Sequence, residues 1–336
     1  MSLSIAMIRP ANAEEWDTLW RQCDHATYFH SREWAEIWSV YTKGGMRPDP
    51  KLVVFSDGKK ALLPLSCNLL LKRLVRYYVS SPAGTFGGWI AADPLEAEHA
   101  ALLTNCMITG FGNMAWRLSP YDDALLHLNV RTYSNEETHS LSLKEGFHAI
   151  FKGWTKGHKS AVAKARREEV SVRMGSTLDD WHSYYRVYEA SLRRWGGRAS
   201  SRYHWEIFEE MLRRRSNHIR LWLAIHRDKV VAGALCFYAK RHVVYWHGAA
   251  LEDYFPLRPV HLLMYEAIKD ACGGGYFWFD FNPSGPHEGV RGFKKSFGAI
   301  PLPCPVVTVE TRLLRFMKKF GPILKRFLGY DLSFLQ

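Results

Sequence analysis

Tyr276-Phe-Trp-Phe-Asp280-Phe-Asn282-Pro-Ser-Gly-Pro-His287-Glu288-Gly-Val-Arg291-Gly-Phe293-Lys294-Lys295-Ser-Phe297-Gly298 is the stretch on which the fold turns. Its aromatic start reads as a strand that ends in Asp280 and Asn282. The Pro/Gly segment after it is a bend that presents His287 and Glu288. A short basic helix follows, with Phe293 and Phe297 four residues apart on one face, so Arg291 and Lys294 flank an anchored surface. Polar groups at the carboxyl end of a strand in an α/β domain are well placed to bind ligands.

Upstream, residues 259–272 form a helix that Gly273-Gly274-Gly275 joins to this strand. Before it come helices over 178–195 and 203–215, a hairpin of 219–225 and 230–238 about Arg227-Asp228, and a strand 242–247. The first half follows the same order. A strand near 5–9 is followed by helices 13–23 and 31–41, the second with Ser31 as N-cap and Trp34, Ile37, Trp38 and Tyr41 at helical spacing. A hairpin of 51–55 and 61–65 about Asp57-Gly58 comes next, then a strand 75–79 and the glycine-rich loop Ser81–Gly88. A helix near 95–110 and strands near 115–118 and 139–143 complete the half. Two helices, a hairpin, a strand, a loop, a helix and a strand thus occur twice, which predicts two similar α/β halves with mixed (α+β) sheets. The expected boundaries are 1–152, 153–310 and a basic amphipathic helix over 311–336.

Composition sets the class. The chain has 336 residues, 47% hydrophobic and 14% aromatic, enough to bury two cores and too apolar for disorder. No run approaches the roughly 20 apolar residues of a membrane span, and no basic segment precedes an apolar one at the start. The six cysteines are scattered, none at CxxC spacing, so neither a metal site nor a disulfide framework is expected. A cytoplasmic protein is expected. The net charge of +12 draws it toward anions such as nucleic acid, phosphorylated cofactors, nucleotide sugars or anionic lipid.

Phe293-Lys294-Lys295-Ser296-Phe297-Gly298, after an Asp-ended strand and a glycine-containing loop, resembles the C-terminal signature of the Fem-type aminoacyltransferases (FemAB/FemX), within the GNAT-like acyltransferases. The basic segment Trp154…Lys159-Ser-Ala-Val-Ala-Lys-Ala-Arg-Arg-Glu-Glu-Val-Ser-Val172 is similar to that family's basic helix leading into its second GNAT unit. Phe29-His-Ser-Arg-Glu-Trp34 and the Pro-Leu ahead of the glycine-rich loop resemble CelD-like acetyltransferases of polysaccharide loci. The resemblance implies two tandem GNAT-like domains. It also implies transfer of an aminoacyl or acyl group from aminoacyl-tRNA or acyl-CoA onto an amine or hydroxyl of a cell-envelope precursor, peptidoglycan or polysaccharide, with a lysine at the place of Lys294 or Lys295 stabilising charge. Two features depart from these relatives. Where CoA-binding enzymes carry R/QxxGxG/A, this chain has Phe255-Pro-Leu-Arg258-Pro-Val-His261, with the arginine and neither glycine. It also has no long heptad insertion like the helical arm of some Fem enzymes.

Acyl transfer needs a deprotonated acceptor, a base and positive charge near the developing oxyanion. Lys294 and Asp280 are the foremost candidates. His247, His287 and Glu288 are alternative bases, Tyr245, Asp253 and Asp280 are suited to orient the acceptor, Asn282 to bind substrate or donor, and Arg258, Arg291, Lys294 and Lys295 to meet phosphate or oxyanion. Three have a plainer reading: His247 as a packed strand-end histidine, His287 as an exposed loop residue, Asp280 as a buried carboxylate with a structural partner. Arg193, Arg194, Arg198 and Arg202 around Gly196-Gly197 form a loop able to cradle phosphate or tRNA, or else a helix C-terminus stopped by glycine. Residues 312–328 pair an apolar stripe with a basic, acid-free face. They suit peripheral contact with anionic lipid on the inner side of a membrane, or docking on the protein. The partners expected are therefore a nucleotide-sugar or lipid-linked envelope precursor, tRNA and an anionic membrane surface. A non-catalytic nucleic-acid or membrane-binding protein on the same fold is the remaining alternative.

Overall fold

The computed structural model describes residues 2–70, 75–126, 134–199, 202–283 and 288–319, without the side chains of 126, 198 and 317–319. The chain divides into two compact units, one of residues 1–23, 29–135 and 304–336, the other of residues 24–28 and 136–303.

In the first unit β1 (Ile5–Pro10) leads into α1 (Ala13–Gln22) and α2 (Arg32–Tyr41). Asn12 and Glu15 close a capping box on α1, and the Ser31 hydroxyl accepts from the Trp34 N–H to start α2. These caps aim Trp16, Trp34, Ile37 and Trp38 inward. β2 (Met46–Pro48) precedes the hairpin β3 (Lys51–Phe55) and β4 (Lys60–Leu63), whose turn uses Gly58 at φ 90°. β5 (Ser66–Leu70), β6 (Val75–Val79), α3 (Ala97–Gly110), β7 (Met114–Arg117) and the one-turn α4 (Asp123–Leu126) follow. β6 and β7 are parallel, as a strand–helix–strand crossover through α3 requires.

The second unit opens with β8 (Glu137–Ser142), α5 (Gly146–Gly153), α6 (Lys156–Arg167) and β9 (Ser171–Gly175). Then come α7 (Leu178–Trp195), α8 (Trp205–Arg214), and the hairpin β10 (Ile219–His226) and β11 (Lys229–Ala239). Arg227 and Asp228 turn that hairpin with φ of 46° and 60°. β12 (His242–Ala250), α9 (Pro259–Gly273), β13 (Trp278–Asp280), α10 (Glu288–Lys295) and β14 (Ile300–Pro303) complete it. β15 (Val306–Val309) and α11 (Arg312–Lys319) belong to the first unit.

The sheets run β1-β3-β4 and β15-β7-β6-β5-β2 in the first unit, and β14-β8-β13-β12-β11-β10-β9 in the second. In the first unit the hairpin lies beside β1 and in the second beside β9, and each unit has a parallel strand pair bridged by a helix, the mixed α/β architecture of two tandem GNAT-like folds. The main departure from expectation is β8. The order of elements in the sequence places residues 139–143 in the first half, but β8 pairs antiparallel with both β13 and β14. Residues 136–152 consequently lie with the second unit. β13 is also shorter than the aromatic run predicts: it starts at Trp278 and ends at Asp280, two residues before Asn282 turns to φ 63°.

The described start of α11 docks on its own unit. Leu314 is buried against Leu70, Val75 and Tyr77, and the Thr311 N–H and hydroxyl both donate to Asn113 Oδ1. Leu313 and Phe316 are exposed. The remainder of the predicted stripe, from Met317 on, lies outside the described side chains.

Candidate active site

The site is set by two parallel strands that part. β12 and β13 pair through His242–Trp278, Val243–Phe279 and Val244–Asp280. β13 then stops, whereas β12 continues to Ala250 alongside β11. A bulge assists the divergence: Leu235 faces His247 and Cys236 faces Tyr245, so Trp246 is the extra residue. Among the described residues no ladder pair joins β12 and β13 beyond Asp280, and the polar groups after Asp280 sit at this opening.

Asp280 is fully buried, and its Oδ1 accepts from the Thr138 hydroxyl and the Asn282 N–H, each at 2.6 Å. The Asn282 carbonyl accepts from Lys294 Nζ at 2.5 Å. Asn282 is therefore gripped at both ends of its backbone, which accounts for a left-handed φ in a residue other than glycine. Its side-chain Oδ1 is buried without a hydrogen-bond partner. Lys294 is only 4% exposed, rare for a lysine. α10 can bury it because Phe293 and Phe297 anchor the helix. Phe297 packs edge-on to Trp154 and stacks on Phe281, at ring distances of 4.7 and 5.7 Å. Arg291 lies one turn before Lys294 on the same helix face, its Nε buried without a partner. Lys295 and Glu288 are exposed, and His287 lies outside the described residues.

Across the opening, the Tyr245 ring faces Phe281 at 6.3 Å. Its hydroxyl occupies the space a side chain at Gly248 would need: a Cβ there would lie 1.7 Å from it. Burial raises the Tyr245 hydroxyl's pKa, so it remains protonated. His247 belongs to a different neighbourhood. Its Nδ1 is 2.5 Å from the Tyr184 hydroxyl of α7, and Tyr188 and Phe208 pack on its ring. Gly233 makes this possible, since a Cβ there would fall 2.3 Å from the Tyr184 ring. Burial pulls the His247 pKa down to about 3, so its imidazole is neutral and accepts from Tyr184.

Arg258 takes a left-handed φ of 61° and caps α9, with Pro259 as the first helical residue. The His261 N–H, one of the amides that a phosphate at this helix start would use, donates to the Arg258 carbonyl at 3.1 Å. Two arginines of the basic segment around Gly196 are engaged within the protein. Arg194 donates to the Ala250 carbonyl and covers the Phe255 ring, and Arg202 donates to the Gly196 carbonyl. The Arg198 side chain lies outside the description.

The structure thus joins Asp280, Asn282, Lys294 and Arg291, sets Tyr245 across from them, and keeps His247 with α7. It adds two residues that sequence reasoning missed, Thr138 and His139 on β8. Nothing local marks them, because their importance comes from pairing with β13. Among the described residues there is no group of three His, Cys, Asp or Glu arranged to hold a metal ion, and no helix is long and apolar enough to cross a membrane.

A family model described as an acetyltransferase (GNAT) domain matches residues 156–295. FemX is similar in structure, with a TM-score of 0.71, 12% identity, and coverage of 93% of this chain and 99% of that one. L-PGS from Bacillus licheniformis gives a TM-score of 0.55 at 12% identity, covering 96% and 99%. The C-terminal domain of a putative lysylphosphatidylglycerol synthetase from Agrobacterium fabrum gives 0.53 at 11%, covering 82% and 89%. No curated protein sequence matches. The family match falls on the unit that holds β12, β13 and α10, and the structural likeness spans both units. Residues 156–295 therefore match an acetyltransferase (GNAT) domain, and the chain as a whole has a fold like that of FemX.

Proposed function

We propose that this protein transfers an acyl or aminoacyl group onto a cell-envelope precursor, with the chemistry at the opening between β12 and β13. The observation that carries this reading is the buried Lys294 ammonium, fixed on the Asn282 carbonyl just beyond the last paired residue of β13. A positive charge held in a water-poor setting, and needing no reorganisation, is suited to stabilising the oxyanion of acyl transfer. Asp280 sets the backbone that holds it, by taking the Asn282 N–H and the Thr138 hydroxyl. Asn282 Oδ1 and the protonated Tyr245 hydroxyl orient the acceptor, while Arg291 and Lys295 receive donor phosphates.

An aminoacyl-tRNA is the donor favoured over acyl-CoA. The start of α9 has Pro259 in place of an amide donor and turns the His261 N–H back onto Arg258, which leaves a poor cradle for pyrophosphate. FemX and the lysylphosphatidylglycerol synthetases also support an acceptor from the cell envelope, lipid-linked or nucleotide-linked. The exposed Leu313 and Phe316 at the start of α11 fit contact with anionic lipid at a membrane's inner face. Donor binding tests the reading. Filter binding of alanyl-tRNA and calorimetry with acetyl-CoA should detect the former, weakened in Lys294→Ala and less salt-dependent than binding of bulk tRNA. Silence from both donors would leave only a non-catalytic GNAT fold.

A further inference from the structure

Among the described residues of the second unit two histidines are buried, His139 and His242, and they are treated differently. His242 Nδ1–H donates to the Ala26 carbonyl at 3.3 Å. His139 has no hydrogen-bond partner at either ring nitrogen, and both nitrogens are shut off from solvent. A buried imidazole with two unmet polar atoms is costly unless a ligand uses them. Its backbone is firmly placed, with the carbonyl accepting from the Phe281 N–H at 2.8 Å, one residue before Asn282. The charged groups around the ring are Arg291, Lys294 and Lys295 of α10, and Glu137, whose Oε1 lies 3.9 Å from Nε2. Two nearby residues also carry a buried polar atom without a partner: Arg291, one of the charged groups around the ring, at Nε, and Asn282, next to the Phe281 that His139 binds, at Oδ1.

We propose that His139 is the general base of the transfer, a role that rests on the acyltransfer reading above. The acceptor's amine or hydroxyl attacks the donor carbonyl. A new N–C or O–C bond forms, and the C–O bond of an aminoacyl ester or the C–S bond of a thioester breaks. The unprotonated ring nitrogen takes the proton shed by the attacking atom, and the imidazolium returns it to the departing oxygen or sulfur, leaving His139 neutral. In the free protein, burial first and then the α10 cations push the His139 pKa below its usual value, with Glu137 opposing them. Donor phosphates seated on α10 offset those cations and bring the base toward neutrality, where it works best. His247 is less suited, since Tyr184 already occupies its Nδ1.

The test uses the full chain in two arms. In the first, ¹³C-histidine NMR follows the resonance that His139→Gln deletes. Its midpoint should lie below about 6.5 and rise when uncharged tRNA, or alternatively coenzyme A, is added. An unmoved midpoint with both would overturn the coupling to the donor. In the second arm, single-turnover transfer is measured from alanyl-tRNA and from acetyl-CoA onto nucleotide-linked and lipid-linked envelope precursors. His139→Gln should lower the maximal rate roughly 100-fold with little change in KM and abolish the acidic limb of the pH profile. Glu137→Gln should shift that limb to lower pH. Wild-type rate and limb in His139→Gln would refute the role of His139 alone, whereas no transfer by the wild type from either donor would refute acyl transfer itself. Should His139→Gln fail to fold, the Glu137→Gln limb decides, and an unshifted limb overturns the proposal.

Discussion

Asn282 offers a substitution series that separates backbone from chemistry. Its φ of 63° is held by Asp280 at the N–H and Lys294 at the carbonyl, and its side-chain Oδ1 has no partner. Glycine adopts this conformation freely, and asparagine tolerates it, but alanine bears the Cβ clash of roughly 1–2 kcal/mol. Asn282→Gly trades relief of strain against about 0.5–1 kcal/mol of extra unfolded-state entropy, so it should match the wild type closely. Asn282→Ala should be less stable by about 1 kcal/mol, or about 2–4 °C in Tm for a domain of this size. Both lose Oδ1. If that oxygen contacts the acceptor through one hydrogen bond worth about 0.5–1.5 kcal/mol, both should lose about 2- to 10-fold in transfer rate, equally. Thermal unfolding and single-turnover transfer on the three proteins check this. Equal stability of the Gly and Ala variants would refute the strained backbone. Activity that tracks stability, rather than falling equally, would refute a role for the side chain.

Three further outcomes follow from the same geometry. Gly233→Ala places a methyl 2.3 Å from the Tyr184 ring, so it should cost about 1–3 kcal/mol in urea unfolding and more than Tyr184→Phe, which removes only the bond to His247. Gly248→Ala must displace the Tyr245 hydroxyl and should impair transfer while leaving Tm within a few degrees; unchanged turnover would remove Tyr245 from the site. Burial lowers both His242 and His247 to about 3, below the unfolded value of about 6.5. Between those pH values the unfolded chain binds the protons that the folded chain refuses. Stability is therefore full above about pH 6.5 and falls as the solution is acidified, and His247→Gln should flatten the fall in urea midpoint between pH 7 and 5.

The sequence was most informative where structure is local. The hairpin turned by Arg227-Asp228, the capped helices, the aromatic strand and the lysine-bearing helix after it all depend on neighbours a few residues apart, and all are present, while the bend at 284–287 lies outside the described residues. Pairing across long separations was not legible. Glu137-Thr-His-Ser-Leu-Ser142 has no apolar alternation marking an interior strand, yet it lies between β13 and β14, because Thr138 and Ser140 have polar work to do beside Asp280. Lys294 read as the cationic side of a surface helix. Its burial depends on the Asn282 carbonyl being turned toward it, and only the left-handed φ does that. The arginines around Gly196 suggested a phosphate loop, but two of them, Arg194 and Arg202, find carbonyls or a ring of their own unit instead.

On the proposed function, the charge of Lys294, held where β12 and β13 part, stabilises the transition state of acyl transfer. Single-turnover transfer from alanyl-tRNA by Lys294→Ala, with circular dichroism to verify folding, tests it most directly. Loss of one preorganised donor should slow the chemical step roughly 100- to 1,000-fold at saturating donor. A folded Lys294→Ala protein that transfers at the wild-type rate would contradict the account.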